Sequence, residues 1–68
     1  AERFLGSVTV NGYFIEGSKS RLSLNGQTYR VGEAVDAYTG LKFIGFHQDR
    51  QRAAFQTPDG KYFLLRVN

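Results

Sequence analysis

The chain contains no cysteine and a single histidine. No disulfide can staple it, and no zinc site of the usual Cys/His composition can be assembled. The lack of cysteine is allowed in every redox compartment, so it assigns none. No apolar run approaches the roughly 20 residues of a membrane helix, so this segment is not expected to insert into a bilayer. No signal peptide is visible. The chain starts at Ala1 and has no methionine, which reads as a processed chain or a piece of a longer protein. Apolar residues nowhere sustain a 3.6-residue period, and no long helix is expected. The 68 residues form one domain, 1–68. A chain of this size buries only about 60% of the surface its unfolded form exposes, so its stability margin is thin. Stability must come from packing, with help from a partner or from self-association.

Catalytic groups are equally scarce. His47 is the only imidazole and no thiol is available. Asp36, Asp49 and Asp59 all sit in turn-like segments, where backbone chemistry places aspartate. Gly26 and Gly32 match neither phosphate-loop nor dinucleotide-binding spacing, and no helix follows them. The expectation is a non-enzyme with no catalytic residues, no metal, no cofactor and no small-molecule substrate. Nine Lys or Arg face six Asp or Glu, a net charge of +3. This basic protein spreads its charges along the chain, with Arg50 and Arg52 two residues apart. Nucleic-acid binders concentrate charge on one face.

What the chain does have is glycine, valine, aromatics and short alternating runs between turn signals, the pattern of an all-β sandwich or barrel. Ser7 to Val10 alternates, Asn11-Gly12 suits a type I′ turn, and Tyr13 to Ile15 reads as a return strand. Glu16 to Ser20 is a polar loop. A second hairpin runs Arg21 to Leu24, Asn25-Gly26, Gln27 to Val31. A two-residue loop pairs Leu24 with Gln27 and Leu22 with Tyr29, so the apolar faces coincide. Gly32 and Glu33 end that strand, Val35 re-enters the core, and 36–40 is a loop. Leu41 to Phe46 is strongly apolar, with Gly45 marking a bulge or bend. Ala53 to Thr57 and Lys61 to Val67 close the chain. A three-residue turn with Pro58 and Asp59 central and Gly60 left-handed puts Phe55 opposite Phe63 and Ala53 opposite Leu65. The predicted fold is a small SH3-like barrel of five to six antiparallel strands joined by tight hairpins.

Six phenylalanines and four tyrosines exceed what such a core can hold. Phe43, Phe55, Phe63 and Tyr29 fit inside, and Phe46 with Tyr13 or Phe14 can fill the barrel ends. The outer face of the last strand carries Tyr62, Leu64 and Arg66, residue types enriched at interfaces. With Phe46, Tyr38 and Tyr13 these are the candidate partner-binding residues. The competing arrangement has Phe4 and Leu5 of an N-terminal arm covering the stripe. The partner is another protein or a second copy, and an open sheet edge offers a generic docking route. The alternative is single-stranded nucleic acid stacked on Tyr62 beside Arg66, or on Phe46 beside Arg50 and Arg52.

The segment from Ser20 to Val67 resembles a known family. Its order of strands, and above all Tyr29-Arg30-Val31-Gly32-Glu33, is similar to the periplasmic homology region of type II secretion inner-membrane protein C and of the type IV pilus lipoprotein PilP. Glu33 stands where that family commonly has Asp. The resemblance implies a small SH3-like β-domain in the periplasm that docks within a trans-envelope machine, for example onto the N-terminal domains of a secretin.

Overall fold

Asn25 and Gly26 both adopt positive φ, 51° and 82°, the geometry that a two-residue type I′ turn demands. The flanking strands pair as the apolar alternation requires, Leu24 with Gln27 and Leu22 with Tyr29. In the computed structural model, which describes residues 2–67, this hairpin is the centre of the first of two antiparallel sheets. A short helix, α1 (Glu2–Ser7), precedes β1 (Val10–Phe14) and a 3-10 turn (Gly17–Lys19). The hairpin strands are β2 (Arg21–Leu24) and β3 (Gln27–Arg30). The second sheet holds β4 (Ala34–Asp36), β5 (Leu41–Phe46), β6 (Arg52–Gln56) and β7 (Tyr62–Arg66). Strand orders are β1-β2-β3 and β4-β5-β6-β7. The described residues are thus all-β, with seven short strands rather than five or six, because the stretch around Val35 forms a strand of its own.

The two sheets share one core of Leu22, Leu24, Val35, Leu41, Phe43, Ala53 and Phe55. Rings bridge the layers. Phe43 lies 5.9 Å from Phe55 and 5.4 Å from Phe46, and Phe46 lies 5.8 Å from Tyr13 on β1. Edge and tilted contacts at these separations are favoured by the ring quadrupoles. Phe4 and Leu5 of α1 pack against the same core. The Arg30–Glu33 turn carries the chain from one sheet to the other. Glu33 N–H donates to Arg30 O (3.0 Å), and Gly32 takes φ 94°, the third-position glycine that such turns favour. Gly32 N–H donates to Phe43 O (2.7 Å) and Phe43 N–H to Glu33 O (3.0 Å), which staples the turn to β5.

One expected turn is absent. Asn11-Gly12 lies inside β1 and neither residue has positive φ. The register steps from Val10↔Leu24 to Gly12↔Ser23, which leaves Asn11 as the extra residue of a β-bulge. The chain stays extended because β2 offers partners out to Phe14↔Arg21. The Asn11 side chain is spent elsewhere, its Oδ1 accepting from Gly26 N–H. Asn25 clamps the same stretch from the hairpin tip: its N–H donates to Thr9 O and its Oδ1 accepts from Thr9 N–H, both at 2.9 Å. Ser7 ends α1 instead of opening a strand, with its hydroxyl on the carbonyls of Arg3 and Phe4.

The other turns follow the sequence. Gly45 has φ 127° and sits at a register shift between Phe43 and Gly45, so the bulge is there. Phe55 faces Phe63 and Ala53 faces Leu65, with Gly60 at φ 91°.

Candidate functional site

Alternation along β5, β6 and β7 sends Leu41, Phe43, Ala53, Phe55, Phe63 and Leu65 to the core. The opposite face of that sheet is therefore set by the residues between them. Three cross-strand rows result. Lys42, Gln56 and Tyr62 form one, Ala54 and Leu64 the second, and Arg52 and Arg66 the third. Ile44, displaced by the bulge before Gly45, is half-buried on the line of the second row. The face thus has an apolar centre with cationic side chains on both flanks. Near the β6–β7 turn it dips into a shallow hollow lined by Lys42, Ile44, Gln56 and Pro58.

Tyr62 is 67% exposed and Leu64 43% exposed. Phe4 and Leu5 do not cover them, since both pack on the core side. The backbone adds a second feature. Thr57 N–H donates to Lys61 O and Val67 N–H to Gln51 O, so those two pairs are the hydrogen-bonded kind. Antiparallel pairs alternate in kind, so Phe55↔Phe63 and Ala53↔Leu65 are also hydrogen-bonded. Tyr62 and Leu64 then aim their N–H and C=O groups away from β6, towards the outer edge of the sheet. Among the described residues no strand lies beyond β7, and no backbone hydrogen bond from another described segment reaches these two residues.

The other predicted binding residues do not join this site. Phe46 is half-buried against Phe43 and Tyr13, so both rings are part of the bridge between sheets. Tyr38 stands alone on the β4–β5 loop at 97% exposure. Arg52 is engaged by Asp49, with Nη2 at 2.7 Å and Nε at 3.0 Å from Oδ2, and Arg50 occupies a left-handed turn position. Phe46 and Arg50 themselves line one open hollow, together with Ile15 and His47. Sequence reasoning missed Ile44 and Ala54 as the apolar centre of the outer face. It also took the basic residues as dispersed, whereas the register sets Arg21 directly opposite Arg30.

The aspartates carry out turn chemistry. Asp36 accepts from Tyr38 N–H (3.2 Å) and the Thr39 hydroxyl (2.8 Å). The Thr57 hydroxyl donates to Asp59 and holds its carboxyl below the usual range. Asp49 accepts from Gln51 N–H, and that bond, followed by the Arg52 guanidinium, lowers its pKa from 3.8 to about 2. A depressed folded-state pKa stabilises the fold above the unfolded value and ceases to do so as pH falls through the folded one. Melting temperature should therefore fall between about pH 4 and pH 2, and Asp49→Asn should flatten that slope. Equal slopes in parent and variant would show that Asp49 is not the group responsible.

No family model matches the chain, and neither a curated protein nor a solved structure does.

Proposed function

We propose that this protein is a docking module that captures an extended segment of another protein along the outer edge of β7. The observation that carries this reading is the coincidence, at Tyr62 and Leu64, of exposed interface-type side chains with outward-facing backbone groups. An added strand gains affinity from main-chain hydrogen bonds and specificity from alternate side chains. Here the alternate side chains meet Leu64 and Tyr62, with Ala54 and Ile44 behind them.

Charge indicates the partner's chemistry. The outer face carries Lys42 and Arg66, with Arg52 beside them already paired to Asp49, and no carboxylate lies in its strand rows. An incoming strand that alternates apolar and acidic residues complements it. A second copy of this chain, itself at +3, does not. The two curled sheets are read as an SH3-like barrel left open at β7. The resemblance to the secretion and pilus proteins adds a periplasmic setting and a secretin N-terminal domain as partner.

The test is selection of displayed peptides of about ten residues on the parent protein and on two proline variants. Leu64 N–H faces the edge, so Leu64→Pro leaves the β6 ladder intact while blocking strand addition. Leu65→Pro removes a ladder donor and should unfold the domain. The expected result is enrichment of apolar–acidic alternating peptides by the parent, amide shifts centred on β7, and loss of binding by folded Leu64→Pro. Peptides that bind the Leu64→Pro variant equally well would refute the edge assignment.

A further inference from the structure

The outer face of the β1–β3 sheet carries a second cluster, unrelated to β7. Phe14, Arg21 and Arg30 form one cross-strand row. Neighbouring strands are about 4.8 Å apart, so an exposed ring and two guanidinium groups lie side by side. Phe14 is 54% exposed. Lys19 and Ser18 rise from the adjoining 3-10 turn, and together with Ser20, Arg21 and Arg30 they line a hollow of about 470 Å³. That turn is held in place by Ser20, which is buried. Its hydroxyl donates to Gly17 O (2.8 Å) and accepts from Glu16 N–H (2.9 Å).

Like charges directly opposite each other in a sheet are destabilising. Arg21 and Arg30 occupy such a pair, and among the described residues no carboxylate lies within ion-pair distance of either guanidinium. Glu33, three residues on from Arg30, is used on the Arg30 backbone N–H at 2.6 Å. A local rule broken without internal compensation marks a place where an external group is accommodated. The missing component is an anion, and the adjacent ring supplies a flat apolar surface.

We propose that Phe14, Lys19, Arg21 and Arg30 form a nucleotide-binding site, with phosphate held between the cations and the base stacked on Phe14. Stacking on an aromatic ring beside arginine tolerates any base. Phosphate contacts make the affinity fall as salt rises. The ligand reaches the site either as a free nucleotide or as part of a single strand, and the two sources share this chemistry.

The test is fluorescence anisotropy with a labelled oligothymidylate of about ten residues at about 20 mM and 200 mM salt, with uridine monophosphate and inorganic phosphate as competitors. Expected are binding that weakens with salt, at least a ten-fold loss in Arg21→Thr/Arg30→Thr, and about a five-fold loss in Phe14→Ser. Competition by uridine monophosphate at concentrations near the oligonucleotide's own affinity identifies free nucleotide as the source. Competition only at far higher concentrations identifies a strand. Arg21→Thr/Arg30→Thr should melt at the parent temperature or a few degrees higher, about 2–5 °C, because the opposed pair is gone. Lost binding then cannot be lost folding. Absence of binding at low salt would overturn the proposal, as would unchanged affinity in the double variant. Displacement by inorganic phosphate as effective as by the nucleotide would overturn the stacking role of Phe14.

Discussion

Phe43→Ala is expected to leave the protein unfolded or melting at least about 15 °C lower. Phe43 is fully buried and sits between Phe55 and Phe46 in the ring chain that joins the two sheets. Truncating a buried Phe costs about 3–5 kcal/mol through lost transfer energy and the cavity left behind. A domain of this length has about 3–10 kcal/mol in total. The loss is compounded by position, because the Phe43 backbone also holds the Arg30–Glu33 turn through two hydrogen bonds. If the emptied site collapses, those bonds shift with it and both sheets lose their relative placement. Phe14→Ala provides the contrast. Its ring lies on the outside, and its removal should move the melting temperature by less than about 4 °C. Thermal melts followed by near-ultraviolet circular dichroism measure both. A Phe43→Ala protein that melts within about 5 °C of the parent would mean the two sheets do not depend on this ring.

Local chemistry made much of this fold legible in the sequence. Asn25-Gly26 and Pro58-Asp59-Gly60 each admit one register that brings the apolar faces together, and both registers are present. Gly45 announced its bulge because no side chain suits that backbone conformation. Asn11-Gly12 misled for the converse reason. The same dipeptide serves a turn or a bulge, and the choice between them is made by β2, which offers Val10 to Phe14 a complete set of ladder partners. No signal within 11–12 carries that information. The YRVGE stretch is now explained by the turn it makes: Gly32 supplies positive φ, Glu33 caps the Arg30 N–H, and both backbones bond to Phe43.

The site was legible in part. Alternation along the last strand placed Tyr62, Leu64 and Arg66 on one outward face. That face was occupied as expected, but whether α1 covered it depended on the packing of Phe4 and Leu5, which no local pattern sets. Phe46 and Tyr13 looked like surplus aromatics because their mutual contact crosses from one sheet to the other. The Arg21–Arg30 pair was available to sequence reasoning. Once Leu22 is set opposite Tyr29, the residues one step outward must face each other. Reading charge along the chain, instead of across the hairpin, hid it. The two outer faces consequently divide the surface chemistry, one apolar with an open edge and the other cationic beside a ring.

Gly40→Ala is expected to cost about 2–4 kcal/mol, a fall in melting temperature of about 10–25 °C. Two separate penalties add. Gly40 has φ 75°, a left-handed conformation in which an added Cβ meets its own backbone. That Cβ would also stand 2.8 Å from Pro58 Cγ and 3.2 Å from Cδ. The proline ring is rigid, so relief requires the β4–β5 loop and the β6–β7 turn to separate. Pro58→Ala alone should cost about 0.4–1 kcal/mol, mainly through a freer unfolded chain. Combined with Gly40→Ala it removes the ring atoms and leaves only the backbone penalty. The double variant should therefore be at least about 1 kcal/mol more stable than the sum of the single losses predicts. Strict additivity would show that the contact with Pro58 carries no energy. The pair also bears on docking, because Pro58 lines the hollow beside Lys42 and Ile44 on the outer face. Parting the two loops should displace the Tyr62 amide signal in Gly40→Ala and return it in the double variant, which ties the stability effect to the shape of the edge proposed to receive a partner strand.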